Sequence, residues 1–73
     1  MEKDTDSSDL SRQERRVLKL VTEGLSDEEI AAQLGVTSNH VATHLSGIIQ
    51  KTRTRSRTEA AVKAMKQGMF GRV

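Results

Sequence analysis

Apolar residues in this chain recur at helical spacing in four short blocks, each opened by a hydroxyl residue and most closed by glycine. The first opens at Ser11, with Glu14 three residues on, and carries Val17, Leu18, Leu20 and Val21 until Gly24. Ser-x-x-Glu is the reciprocal capping arrangement, in which each side chain satisfies the other residue's amide. The second opens at Ser26 with Glu29 and carries Ile30, Ala31 and Leu34 until Gly35, with Leu25 placed to staple onto Ile30. Thr37 caps a third, whose Val41, Leu45 and Ile48 form one stripe. The pattern then fails across Thr52-Arg53-Thr54-Arg55, a predicted loop. Ser56 with Glu59 opens a fourth helix through about Gln67, stopped by Gly68. No stretch alternates with period two, so no strand is predicted. The expected fold is all-α: four helices in one compact domain over residues 10–70.

Helices two and three are joined by the turn Gly35-Val36-Thr37. A pair of helices crossing steeply needs a small residue where the backbones approach, a turn residue tolerant of positive φ, and a branched apolar residue that locks the crossing. Ala31, Gly35 and Val41 meet these needs in order, which is the helix-turn-helix arrangement. The outer side of helix three holds Ser38, Asn39, Ala42, Thr43, Ser46 and Gly47, all small and uncharged.

Charge changes the picture by its distribution. The 73 residues have a net charge of +2. Residues 1–9 hold Glu2, Asp4, Asp6 and Asp9 against Lys3, a balance of −3, which leaves +5 for residues 10–73. That first segment is polar and without periodicity and reads as a disordered acidic tail. Residues 21–36 contain acids and no base, chiefly at helix starts. Residues 37–57 contain Lys51, Arg53, Arg55 and Arg57 and no acid, a candidate phosphate-binding surface for which a plain solvated face is the competing account.

The absence of cysteine excludes a disulfide framework and thiolate metal sites. No apolar run is long enough to span a bilayer and the first residues are too polar for a signal peptide, so a cytoplasmic protein without membrane contact is expected. His40 and His44 stand at i, i+4, a spacing that suits a metal, but no third ligand accompanies them. A DNA-facing His40 and a partly buried His44 account for them better. No catalytic constellation or phosphate loop can be assembled, and four short helices leave little room for a pocket. No enzyme activity, cofactor, metal or small-molecule ligand is therefore expected.

The run Leu10-Ser11-x-x-Glu14-x-x-Val17-Leu18-x-Leu20-Val21-x-x-Gly24-Leu25-Ser26-x-x-Glu29-Ile30-Ala31-x-x-Leu34-Gly35-Val36-Thr37-x-x-x-Val41-x-x-His44-Leu45-x-x-Ile48-x-x-Lys51, followed by Arg57-Thr58-Glu59-Ala60, resembles the LuxR/GerE-type helix-turn-helix domain from residue 10 to about 69. The resemblance implies a bacterial transcription regulator that reads double-stranded DNA with helix three and pairs protomers through helix four. RNA polymerase is a further expected partner. Either a standalone regulator or an output domain of a longer one fits this description.

Family recognition helices usually begin Thr-Val-Lys, where this chain has His40-Val41-Ala42. Asn is common where Gly47 stands, and Leu and Val are usual at Thr52 and Thr54. Without the lysine, base reading falls to Asn39, His40, Ala42, Thr43 and Ser46. Asn39 suits an adenine edge, Ala42 and Thr43 a thymine methyl, and Ser46 either kind of base. Thr37 and Ser38, with the amides beside them, and Lys51, Arg53 and Arg55 suit phosphates. The resemblance implies that Arg57 forms a structural ion pair with Glu14. On helix four, Ala61, Ala64 and Met65 are expected to pack on the domain. Val62 and Met69 centre the candidate dimer face, to which Met65 is also assigned. The competing function is a protein-interaction module that heterodimerises with a related regulator and titrates it from DNA, suggested by the missing lysine and the acidic tail.

Overall fold

The computed structural model describes residues 10–70 and contains four helices: α1, Arg12–Thr22; α2, Asp27–Leu34; α3, Ser38–Thr52; and α4, Arg57–Lys66. Both expected capping boxes at the first two helices form. The Ser11 hydroxyl accepts from the Glu14 amide at 3.0 Å and the Ser11 amide donates to Glu14 Oε1 at 2.9 Å. The corresponding distances at Ser26 and Glu29 are 3.2 and 2.8 Å. Gly35 closes α2 at φ +72°, a conformation that a side chain disfavours. Two residues later Thr37 caps α3 by accepting the His40 amide at 3.1 Å.

The fourth helix opens differently from expectation. Ser56 accepts the Glu59 amide, but the Glu59 carboxylate takes the amide of Arg55 at 2.8 Å, so the box is completed one residue earlier in the chain. Helix α3 also continues through Thr52, which the sequence places in a loop. Thr52 is buried and its hydroxyl donates to the Ile48 carbonyl at 2.8 Å, which lets a polar residue end the helix inside the protein. The turn beyond it is set by Arg53, the sole non-glycine residue at positive φ (+59°) among those described. The amides of Arg53 and Thr54 return to the Gln50 and Ile49 carbonyls, and Lys63 Nζ of α4 reaches the Thr52 carbonyl at 2.6 Å.

The core joins Leu10, Val17, Leu18, Ile30, Val41, Leu45 and Ile48 with the alanines 31, 60, 61 and 64. Helix α1 packs on both α3 and α4, and α2 packs on α3. Ala31 of α2 is buried in this core. On α4 the buried stripe is Ala60, Ala61 and Ala64. Met65 is not packed into it, contrary to expectation, and is 56% exposed. At about 100° per residue Met65 stands roughly a quarter turn away from the centre of that stripe, whereas Ala60 lies within it. Among the described residues no helix is long and apolar enough to cross a membrane.

Candidate nucleic-acid interface

Helix α3 presents one face to α1 and α2 and the opposite face to solvent. Val41, Leu45 and Ile48 are buried, while Asn39, His40, Ala42, Thr43 and Ser46 are all exposed and centred about half a turn away. Small side chains line the exposed face, and no carboxylate stands on α3. The exposed Thr43 donates its hydroxyl to the Asn39 carbonyl at 3.1 Å, and the oxygen keeps lone pairs able to accept. His40 is stacked on His44, with ring centroids 4.8 Å apart and planes 14° apart. His44 is half-buried, and its buried Nε2 has no hydrogen-bond partner among the described residues. No group of three His, Cys, Asp or Glu residues able to hold a metal occurs among the described residues.

Both ends of α3 are suited to anions. At its start Thr37 and Ser38 are exposed, and the positive end of the helix dipole faces solvent there. At its end Lys51, Arg53 and Arg55 are exposed. Lys51 is not a free cation, because its Nζ lies 2.8 Å from Glu14 Oε1. Arg53 and Arg55 carry no side-chain ion pair among the described residues.

The ion pairs correct one expectation. Arg57 pairs with Asp27 of α2, through Nη1 to Oδ1 and through Nη2 to Oδ2 at 3.2 Å, and Glu14 belongs to Lys51. The reason is positional. Glu14 stands at the start of α1 over the C-terminal half of α3, and Gly47 leaves it room: a Cβ at Gly47 would lie 3.0 Å from Glu14 Oε2. Arg57 opens α4 beside the first turn of α2.

Burial works to raise the Glu14 pKa, but the Lys51 hydrogen bond, the Ser11 amide and the charges of Lys51 and His44 outweigh it and hold the carboxyl below its ordinary value. The Arg57 hydrogen bond lowers Asp27 against a smaller effect of burial. Asp27 in turn raises Arg57.

On α4, Val62 is 41% exposed. It lies in a concavity of about 510 Å³ between the turn at Thr54 and the side of α4 bearing Lys63 and Lys66. Met65 is exposed close by, and Met69 is partly buried against the core.

The profile of the bacterial regulatory proteins of the luxR family matches residues 8–64. The nitrate/nitrite response regulator protein NarL of Escherichia coli is 35% identical over 65 residues, 89% of this chain and 30% of NarL. The response regulator Rre1 of Synechocystis is 41% identical over 61 residues, 84% of this chain and 26% of Rre1. The chain thus spans less than a third of these relatives. The solved structure of the transcription factor GerE superposes with a TM-score of 0.76 at 29% identity, covering 81% of this chain and 88% of GerE. The chain belongs to the luxR family of bacterial regulatory proteins, and its four helices are that family's DNA-binding helix-turn-helix domain.

Proposed function

We propose that this domain regulates transcription by placing α3 in the major groove of double-stranded DNA. Asn39, His40, Ala42, Thr43 and Ser46 face the base edges, and Thr37, Ser38, Lys51, Arg53 and Arg55 face the phosphates. The observation that carries this reading is the solvent face of α3: all five base-reading positions are exposed on one side, free of carboxylates and bulk, with cations gathered at the helix end. Lys51 shares its charge with Glu14, so Arg53 and Arg55 are the principal phosphate contacts at that end. Two copies joined through Val62 and Met65 of α4 then occupy two half-sites about one helical turn apart.

Selection of bound sites from random duplexes, followed by a salt series, tests the reading. With on the order of 4–6 phosphate contacts per protomer, log affinity falls against log salt by about 0.9 per contact. Thr43→Ala or Asn39→Ala changes preference at one position at a cost of about 1–3 kcal/mol, whereas Arg55→Ala weakens all sequences alike. Failure to bind duplex DNA even at low salt overturns the reading. The exposure of Val62 and Met65 favours a second reading in that event, a module that pairs with a related regulator through α4.

A further inference from the structure

Helix α1 carries another basic surface, which DNA binding by α3 leaves unused. Glu14, Val17 and Leu18 are buried on the side of α1 turned toward α3 and α4. Arg12, Arg15, Arg16 and Lys19 are exposed and stand about half a turn away, on the opposite side. Lys19 Nζ lies 3.2 Å from Glu23 Oε2, while the three guanidinium groups have no carboxylate partner among the described residues. Solubility requires only scattered charge, but this stripe borders apolar ground. A depression of about 230 Å³ lies between its four cations and the pair Met69 and Phe70. A smaller one, about 150 Å³, adjoins Arg16 and Lys19 and is floored by Leu20 and Leu34. Phe70 is the only Phe, Tyr or Trp in the chain, and it is half-exposed here.

We propose that this stripe docks a partner protein through a short acidic segment bearing one apolar side chain. The segment's carboxylates pair with Arg12, Arg15 and Arg16, whose planar forks match carboxylates in a bidentate manner. Its apolar side chain seats on Met69 and Phe70. The larger depression has room for one leucine- or phenylalanine-sized group and is smaller than the roughly 300 Å³ at which small-molecule pockets begin. A DNA duplex supplies anionic charge but no projecting apolar group to cover Met69 and Phe70. The body of α1 lies between the stripe and α3, so the partner is held while α3 is engaged.

Fluorescence anisotropy of the full chain with a labelled Asp-Glu-Asp-Phe-Asp-Glu-Asp peptide tests it. The expected result is saturable binding that weakens about tenfold or more when the peptide's Phe becomes Ala, and likewise on combining Arg15→Glu with Arg16→Glu. Phe70→Ala has the same effect, and the peptide-side change makes the same point if Phe70→Ala lowers the melting midpoint. The charge-reversed chain keeps its melting midpoint and whatever affinity the parent has for DNA fragments. Absence of saturable binding, or indifference to the peptide's Phe, overturns the proposal. A loss of DNA affinity with a shallower salt slope in the charge-reversed chain reassigns the stripe to phosphates. A gain of about tenfold in peptide affinity on combining Asp4→Asn, Asp6→Asn and Asp9→Asn makes the chain's own first residues the occupant instead.

Discussion

Glu14 is where three needs of this small domain meet. It completes the cap of α1, it holds Lys51 on α3, and its carboxylate lies against the one helical glycine of α3. Because its folded pKa is below the ordinary value of 4.5, its stabilising contribution is complete above that value and is lost as pH falls through the folded pKa. Asp27 behaves alike below its own ordinary 3.8. Urea midpoints measured from neutral pH down to about pH 3 should therefore fall in the acid range, and Glu14→Gln should flatten that fall while costing about 1–2 kcal/mol at neutral pH. An unchanged acid limb in the variant contradicts this account. Gly47 gives a second handle. Replacing a helical glycine by alanine ordinarily gains about 1 kcal/mol. Here the new Cβ meets a carboxylate that Ser11 and Lys51 hold in place, so Gly47→Ala should gain clearly less. Combined with Glu14→Ala it should recover the full gain, a coupling that a double-mutant cycle reads directly.

Among the elements, α3 and its C-terminal turn bind stability and function in opposite senses. Arg53 sits at φ +59°, where a side chain costs about 1–2 kcal/mol, and its exposed guanidinium is among the proposed phosphate contacts. Arg53→Gly should therefore raise the unfolding free energy by about 1 kcal/mol while lowering DNA affinity and reducing the salt slope by about one contact. Stability and affinity moving in the same direction would refute this assignment.

The caps of α1, α2 and α3 were readable in the sequence because capping is local: donor and acceptor lie within three residues. The exposed face of α3 was readable because helical period alone separates it from Val41, Leu45 and Ile48. What escaped depended on tertiary placement. The partners of Glu14 and Arg57 are 37 and 30 residues distant, and no spacing rule chooses between Lys51 and Arg57 for the first or identifies Asp27 for the second. Spacing does not settle the inward side of α4, because apolar residues cover most of its circumference, and only packing against α1 selects Ala60, Ala61 and Ala64 over Met65. Charge counted along the chain hides the basic stripe of α1, because Glu14 and Glu23 dilute it there; it shows only by helix face.

At the scale of the whole molecule, α1 and the inner side of α3 form the packed centre, and three surfaces face outward: the exposed side of α3, the stripe of α1, and the Val62 side of α4. The last buries little on its own. One helix face falls well short of the roughly 1,600 Å² of a standard stable interface, so pairing through α4 should be weak in free solution. DNA changes this, since two adjacent half-sites convert the second association into an intramolecular one at high effective concentration. The expected behaviour is a monomer by sedimentation at micromolar concentration that binds paired half-sites cooperatively. Val62→Glu should abolish most of that cooperativity, about tenfold in affinity for paired sites, with affinity for a single half-site unchanged. Val62 is exposed enough that the melting midpoint should hold. Shifting one half-site by about half a helical turn should remove cooperativity in the parent protein too, because the two α4 faces then point to different sides of the duplex. Cooperativity that survives both changes would take the contact between copies away from α4.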